Sequence, residues 1–374
     1  MRVRLLVAGD FCPYGRVAEK LEHKEYQYVL GEIKDRLLEV DYSLVNFECP
    51  VVTVGEWPIP KQGPNLKCSE KGIEAIKWAG FNCVTLANNH FLDYGKIGVE
   101  NTLNACRKFE LDIVGGGQNL NEASKILYKD VKGKRIAIIN CCEHEFSIAT
   151  YCSAGSNPLN PIKQYYEILD AKKQADMVLV IVHGGHEHFQ LPSPRMVDTY
   201  RFFVDAGADA VFNHHQHCYS GYEIYRGKPI FYGLGNFCFD GNRSKKELWY
   251  EGYLVTIYFG DSEPSFEIHP YRQCAEEPRV ILLPQNAFDK KLKELNGIIA
   301  DSDALQKYIE KHYTRSESIY SNVFEPIQNR LYLGAKRRGW VPSLISKKRK
   351  LQAFNYINCE AHRDKLLYWL KKEL

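Results

Sequence analysis

Short apolar runs that stop abruptly at a carboxylate, an amide or a histidine recur through the first part of this chain. Cys83-Val84-Thr85-Leu86-Ala87 leads into Asn88-Asn89-His90. Met177 to Val182 leads into His183-Gly184-Gly185-His186-Glu187-His188, and Ala208 to Phe212 precedes His214-His215-Gln216-His217. Two earlier runs, Val3 to Ala8 and Ser43 to Phe47, end at Gly9-Asp10 and at Glu48. Apolar runs this short read as buried strands. Between them lie segments of helical spacing: Tyr26 to Leu38, with Val29, Ile33 and Leu37 on one face; Glu70 to Ala79, closed by Gly80; Val99 to Phe109; Lys163 to Ala175; and Pro194 to Ala206. Two more strands are expected at Asp112 to Val114 and Arg135 to Asn140. Alternation of this kind, up to about Gly235, predicts an α/β fold with a largely parallel sheet. Loops at the carboxyl ends of such strands converge on one crevice.

The pattern then changes. Tyr222 to Tyr225, Pro229 to Leu234, Gly252 to Phe259 and Ser265 to His269 are closely spaced strands, which predicts an antiparallel part. Beyond them Lys290 to Ile299, Ser302 to His312 and Ala361 to Leu370 have helical periodicity, and Ser346-Lys347-Lys348-Arg349-Lys350 is a basic run. We therefore expect a domain over 1–272 and a basic, mainly helical extension over 273–374. One internal echo stands out. Trp78-Ala79-Gly80-Phe81-Asn82 and Asp205-Ala206-Gly207-Ala208-Asp209 each read as a helix stop before a strand and a ligand-rich loop.

Seven of the twelve histidines lie in the three clusters that follow strands. Taken singly, each residue has an ordinary reading. An Asp after a strand caps a turn, Glu48 is a loop carboxylate, and a lone His90 is a packed or surface histidine. His215 and His217 are stronger, because alternate residues of an extended segment point the same way. Their joint placement with Asp10, Glu48, Asn89 and His183 makes a metal centre the expected function of the crevice, the donor set favouring Mn, Fe or Zn. The formal net charge of +3 argues against nucleic acid as a partner. The twelve scattered cysteines, with no Cys-x-x-Cys, favour a reducing compartment. No signal-like leader or membrane span is apparent, so the expected location is cytoplasmic, with peripheral membrane contact as a further option.

Six ordered blocks carry a family resemblance: Gly9-Asp10; Asn46-Phe47-Glu48-x-Pro50; Ala87-Asn88-Asn89-His90-x-x-Asp93-Tyr94-Gly95; His183-Gly184-Gly185-x-Glu187; His215-x-His217; and Lys228 through Phe237. Together they resemble the bacterial CapA family of capsule and poly-γ-glutamate synthesis proteins, within the calcineurin-like metallophosphoesterase superfamily. The resemblance implies a four-layer α/β/β/α metallophosphoesterase-like sandwich with mixed sheets, followed here by the helical extension. It implies a divalent, dinuclear centre held by Asp10, Glu48, Asn89, His183, His215 and His217, with Glu48 between the metals. His90 would be the catalytic histidine, with Asp93 either orienting it or capping the following helix. Cys12, Asn46, Asn88, Glu187, His186, His214 and Asn236 would contact substrate or support the ligands.

The chain departs from that pattern in places. Cys12 stands where a histidine is usual, which leaves one metal site weaker, absent or thiolate-assisted. Glu48 replaces an aspartate, Gly184 a tryptophan and Asn213 a glycine. Two functions follow from the resemblance. One is a metal-dependent hydrolase of phosphoester, amide or ester bonds, acting on an anionic polymer or a phosphorylated glycan within the capsule synthesis machinery. The other is a non-catalytic polymer-binding or scaffold subunit of a capsule or poly-γ-glutamate export complex, in which Arg337, Arg338, Lys347, Lys348, Arg349 and Lys350 hold a polyanion or a lipid surface.

Overall fold

The computed structural model describes residues 2–53, 55–61, 63–241, 247–260, 263–358 and 370. The helix expected over Ala361 to Leu370 lies outside them except for its last residue. The chain divides into two compact units, 1–305 and 306–374.

The first unit opens with strand β1 (Val3–Cys12), helices α1 (Arg16–Glu22) and α2 (Tyr26–Leu38), β2 (Tyr42–Phe47), α3 (Lys71–Ala79), β3 (Cys83–Thr85), α4 (Gly95–Lys108) and β4 (Asp112–Val114). There follow β5 (Gly116–Gly117), α5 (Leu120–Ala123), β6 (Leu127–Val131), β7 (Lys134–Cys142), β8 (Gly155–Ser156), α6 (Pro161–Gln174), β9 (Met177–His183), α7 (Pro194–Ala206) and β10 (Ala210–His214). Strands β11 (Tyr222–Tyr225), β12 (Lys228–Phe231), β13 (Asn236–Phe239), β14 (Glu251–Phe259), β15 (Ser265–Gln273) and β16 (Val280–Leu282) precede α8 (Asp289–Ala300). The first unit thus includes β16 and α8, both beyond residue 272.

Two mixed sheets form the frame. One runs β16-β15-β14-β1-β2-β3-β4, with β13 added beside β1; the other runs β11-β12-β10-β9-β7-β6. Pairing is parallel from β1 through β4 and from β7 through β9 and β10 to β12. The later strands are only partly antiparallel. β14, β15 and β16 pair that way, as do β11 and β12, but β12 is parallel to β10 and β13 to β1.

Helices α1 to α4 share a core with the first sheet, through Val17, Ile33, Ile76 and Leu103. Helices α6 and α7 lie on the second. The sheets face each other through aromatic contacts such as Phe231 on Phe266, 5.0 Å between centroids and nearly perpendicular. Helices, sheet, sheet and helices therefore make four layers. The two echoing segments do the same job. Gly80 and Gly207 end α3 and α7 at φ 109° and 119°, a left-handed turn that glycine adopts without steric cost. Among the described residues no helix is long and apolar enough to cross a membrane.

Candidate metal centre

The strand ends meet as the alternation predicts, and β1 shows why the local sequence is what it is. Its register with β2 and β13 shifts around Asp10, an irregularity that re-aims one side chain. A Cβ at Gly9 would collide with the backbone oxygen of Gly235, while Asp10 N donates to that same oxygen at 3.2 Å. Only glycine lets the two chains approach this closely. Asp10 is thereby turned into the crevice, where Asn46 Nδ2 donates to its Oδ1 at 2.7 Å and the His215 amide to its Oδ2 at 3.2 Å.

From the neighbouring strand ends come Glu48 after β2, Asn89 after β3, His183 at the end of β9, and His215 and His217 after β10. His215 and His217 are not extended. Their φ angles are 89° and 54°, a strained region for residues with side chains. The ring centroids nonetheless lie 6.1 Å apart. Such strain persists only where surrounding contacts hold it; here Asn236 Oδ1 pairs with His217 Nδ1 at 2.9 Å, and Trp249 and Phe239 pack on the His217 ring.

Two donor groups result: Glu48 with His183 and His215, and Asp10 with Glu48 and His217. Within each, one ligand atom per residue lies within 4.8 Å of the others, and Glu48 belongs to both. Asn89 Oδ1 joins the first group, 2.9 Å from His183 Nε2, which itself lies 3.1 Å from His215 Nδ1. Glu48 is fully buried, yet among the described residues neither of its carboxylate oxygens has a hydrogen-bond partner; imidazole nitrogens of His183 and His217 lie at 3.5 and 3.8 Å. A buried carboxylate without donors is costly unless a cation completes it.

The electrostatics follow from burial. Burial, then the neighbouring Asp10 charge, pushes the Glu48 carboxyl well above the carboxylate range. Burial and His215 hold His183 well below the usual histidine range, and burial takes His217 down to about 4. Burial works against an Asp10 charge too, but His214, 3.3 Å away, with His183 and His217, outweighs it and keeps the carboxyl low. Neutral imidazoles are what ligation requires of His183 and His217, while Glu48 would give up a proton as a cation binds.

His90 lies next to the centre. Asp93 Oδ2 pairs with His90 Nδ1 at 2.7 Å and accepts from the Leu66 amide at 2.6 Å, so Asp93 orients the ring and does not cap α4. Asn88 holds the turn, accepting from His90 N at 3.1 Å and donating to Phe47 O at 2.8 Å. His214 sits against Asp10. Glu187 lies half-exposed on the loop after β9; partial desolvation works against its charge, but His217 and His215 outweigh it and lower the carboxyl. His186, half-buried on the same loop, and Cys12 belong to neither donor group. The Cys12 thiol packs in the hydrophobic core beside Cys49, and burial pushes it up.

Lys61 and Glu145 have no place in the sequence pattern, and Asn213 enters it only as a departure from the family glycine. Lys61 is buried against Asp93, in contact with its carboxylate, and lies 3.1 Å from His90 Nδ1. It comes from a loop rich in proline and glycine, where a lysine ordinarily reads as solvated. Glu145 accepts from Asn89 Nδ2 at 3.2 Å and lies 3.8 Å from His215 Nε2; it follows β7, so the strand-end pattern could have found it. Asn213 ties the second sheet together, donating to Gly184 O at 2.9 Å and Tyr232 O at 3.0 Å and accepting from Tyr200 at 2.6 Å.

Residues 4–241 match the family model described as bacterial capsule synthesis protein PGA_cap. The chain is 36% identical over 247 residues to the capsule biosynthesis protein CapA of Bacillus anthracis, covering 64% of this chain and 60% of that protein. It is 35% identical over 236 residues to the PGA biosynthesis protein CapA of Bacillus subtilis (strain 168), covering 62% of each. It therefore spans about three fifths of the length of these relatives. Among solved structures, a 5'-nucleotidase precursor from Thermus thermophilus aligns with a TM-score of 0.43 at 13% identity, over 87% of this chain and 60% of that one.

Proposed function

The chain belongs to the bacterial capsule synthesis protein PGA_cap family, and from that premise we propose that it is a divalent-metal-dependent hydrolase acting in capsule or poly-γ-glutamate biosynthesis. The observation that carries this reading is Glu48, buried, shared by two donor groups and, among the described residues, without a hydrogen bond to either oxygen. The donors present fit two ions of the Mn, Fe or Zn class, with His183, His215 and Asn89 on one side of Glu48 and Asp10 and His217 on the other. When bound, such ions polarise a scissile phosphoryl or acyl group and lower the pKa of bound water.

The chain's own residues do the rest. Asp10 is fixed by Asn46, and His217 by Asn236, so the donors are preorganised. His90 uses Nδ1 on Asp93, which leaves Nε2 as the nitrogen able to hand a proton to a leaving oxygen. Asp93 holds that ring in place, and Lys61 holds the Asp93 carboxylate.

The test is a hydrolysis panel of phosphoesters, amides and esters, including oligomers of γ-glutamate, run on metal-loaded protein and on His90→Gln. The expected result is turnover of one class that falls by about 10²–10⁴-fold in the variant. No turnover of any class by metal-loaded protein, or turnover indifferent to His90, would refute the proposal.

A further inference from the structure

The second unit carries a charge imbalance that the hydrolytic centre does not use. Residues 324–358 contain eight lysines and arginines (Arg330, Lys336, Arg337, Arg338, Lys347, Lys348, Arg349, Lys350) and one carboxylate, Glu325. That carboxylate is buried and pairs with Lys336 at 3.0 Å, while accepting from Tyr332 and the Leu344 amide. Among the described residues, none of Arg337, Arg338, Lys347, Lys348, Arg349 or Lys350 is paired with a carboxylate, and all six are exposed. The whole chain is only +3, so this segment is far more basic than the rest.

Basic residues alone would suit any polyanion, but this segment is also apolar at its surface. After α9 (Ser302–Val323), helix α10 (Arg330–Arg337) exposes Leu331 at 84%, and Trp340 beyond it is 74% exposed with the Arg338 guanidinium 5.3 Å from its ring. Helix α11 (Lys347–Asn358) exposes Leu351 and Phe354. Lys350, Phe354 and Ile357 follow helical spacing on one face. They line, with Phe324, Ile345 and Lys336, a cavity of 760 Å³. Four consecutive cations also occupy the first turn of α11, the end of a helix where the backbone dipole already disfavours positive charge. An anionic surface neutralises them.

We propose that residues 324–358 form a docking surface for an anionic phospholipid bilayer, the cations meeting headgroup phosphates and Trp340, Leu331, Phe354 and Ile357 entering the boundary with the acyl chains. Paired basic and apolar exposure is the signature of an interfacial segment. A soluble polyanion would leave the aromatic and aliphatic side chains in water, which is why the bilayer is favoured over it. The proposal is independent of the reaction at the metal centre.

The experiment is co-sedimentation of the full chain with vesicles of phosphatidylcholine alone and of phosphatidylcholine mixed with phosphatidylglycerol, with and without soluble poly-γ-glutamate. The expected result is partition onto the mixed vesicles only, weakened by salt. Each cation near such a surface is worth roughly fivefold in partition, so the Lys347→Glu, Lys348→Glu, Arg349→Glu, Lys350→Glu variant should lose at least about a hundredfold. Phe354→Ser should weaken partition several-fold, and Trp340→Ser, at a solvent-exposed position that spares folding, should do the same. Equal partition onto neutral vesicles, no partition at all, or binding that poly-γ-glutamate abolishes while Trp340→Ser and Phe354→Ser leave it unchanged would overturn the proposal, the last in favour of a polyanion groove.

Discussion

At the scale of single residues, the centre is held in costly states. Two histidines sit at positive φ, Glu48 is buried without a donor, and Asp93 shares its buried charge with Lys61. His217 yields a pH dependence. Its folded-state pKa is lowered by burial to about 4 from 6.5. In metal-free protein the unfolded chain therefore takes up a proton that the folded chain refuses. That contribution to stability is present above about pH 6.5 and is lost as pH falls toward 4, by up to about 3 kcal/mol. Chemical denaturation of metal-free protein across that window should show stability rising with pH, and His217→Gln should flatten the slope; an unchanged slope in the variant would remove His217 as its source. Lys61 gives a second expectation. Its side chain is 3% exposed and that of Asp93 is 0%, so Lys61→Met strands a buried carboxylate. We expect a loss of about 3–5 kcal/mol in unfolding free energy, together with reduced turnover, because Asp93, which orients His90, loses its own fixed partner. A variant as stable as the parent would show the pair to be dispensable.

At the scale of elements, the bulged end of β1 positions Asp10, and Gly9 permits it. Gly9→Ala forces the Gly235 backbone away and should cost about 1–3 kcal/mol, with weaker metal retention on the Asp10 side, measurable by thermal unfolding and metal titration. The strand-end logic was legible because periodicity fixes both strand and outlet. Tyr26 to Leu38 and Pro194 to Ala206 are the helices their apolar spacing predicts. Asp10, Glu48, Asn89, His183, His215 and His217 do gather, since each follows an apolar run. What stayed hidden depends on contacts distant in sequence. Lys61 gains meaning only when a loop folds over His90, and Cys12 takes part in the core at the end of β1, past the register shift around Asp10. The left-handed turns at His215 and His217 have no local sequence mark, as glycine or asparagine would be the usual occupant. The parallel pairing of β12 and β13 likewise reflects crossovers that short strand spacing does not reveal.

At the scale of the molecule, the donor groups lie entirely within 1–305 and the basic, apolar surface within 306–374. Substitutions in separate units with no shared partners should act additively, so reversing Lys347 to Lys350 should leave metal content unchanged while abolishing vesicle binding. The chain belongs to the bacterial capsule synthesis protein PGA_cap family; the centre supports the chemistry we propose for it. The central claim is that Glu48 would serve both donor groups in holding two ions, and metals per chain test it most directly. Elemental analysis of full-chain protein, purified without chelator and loaded with Mn, Fe or Zn, should give about two ions per chain. Asp10→Ala and His183→Ala should each keep about one, and Glu48→Ala should keep neither. A parent protein that binds no metal, or a Glu48→Ala variant that binds as much as the parent, would contradict the account.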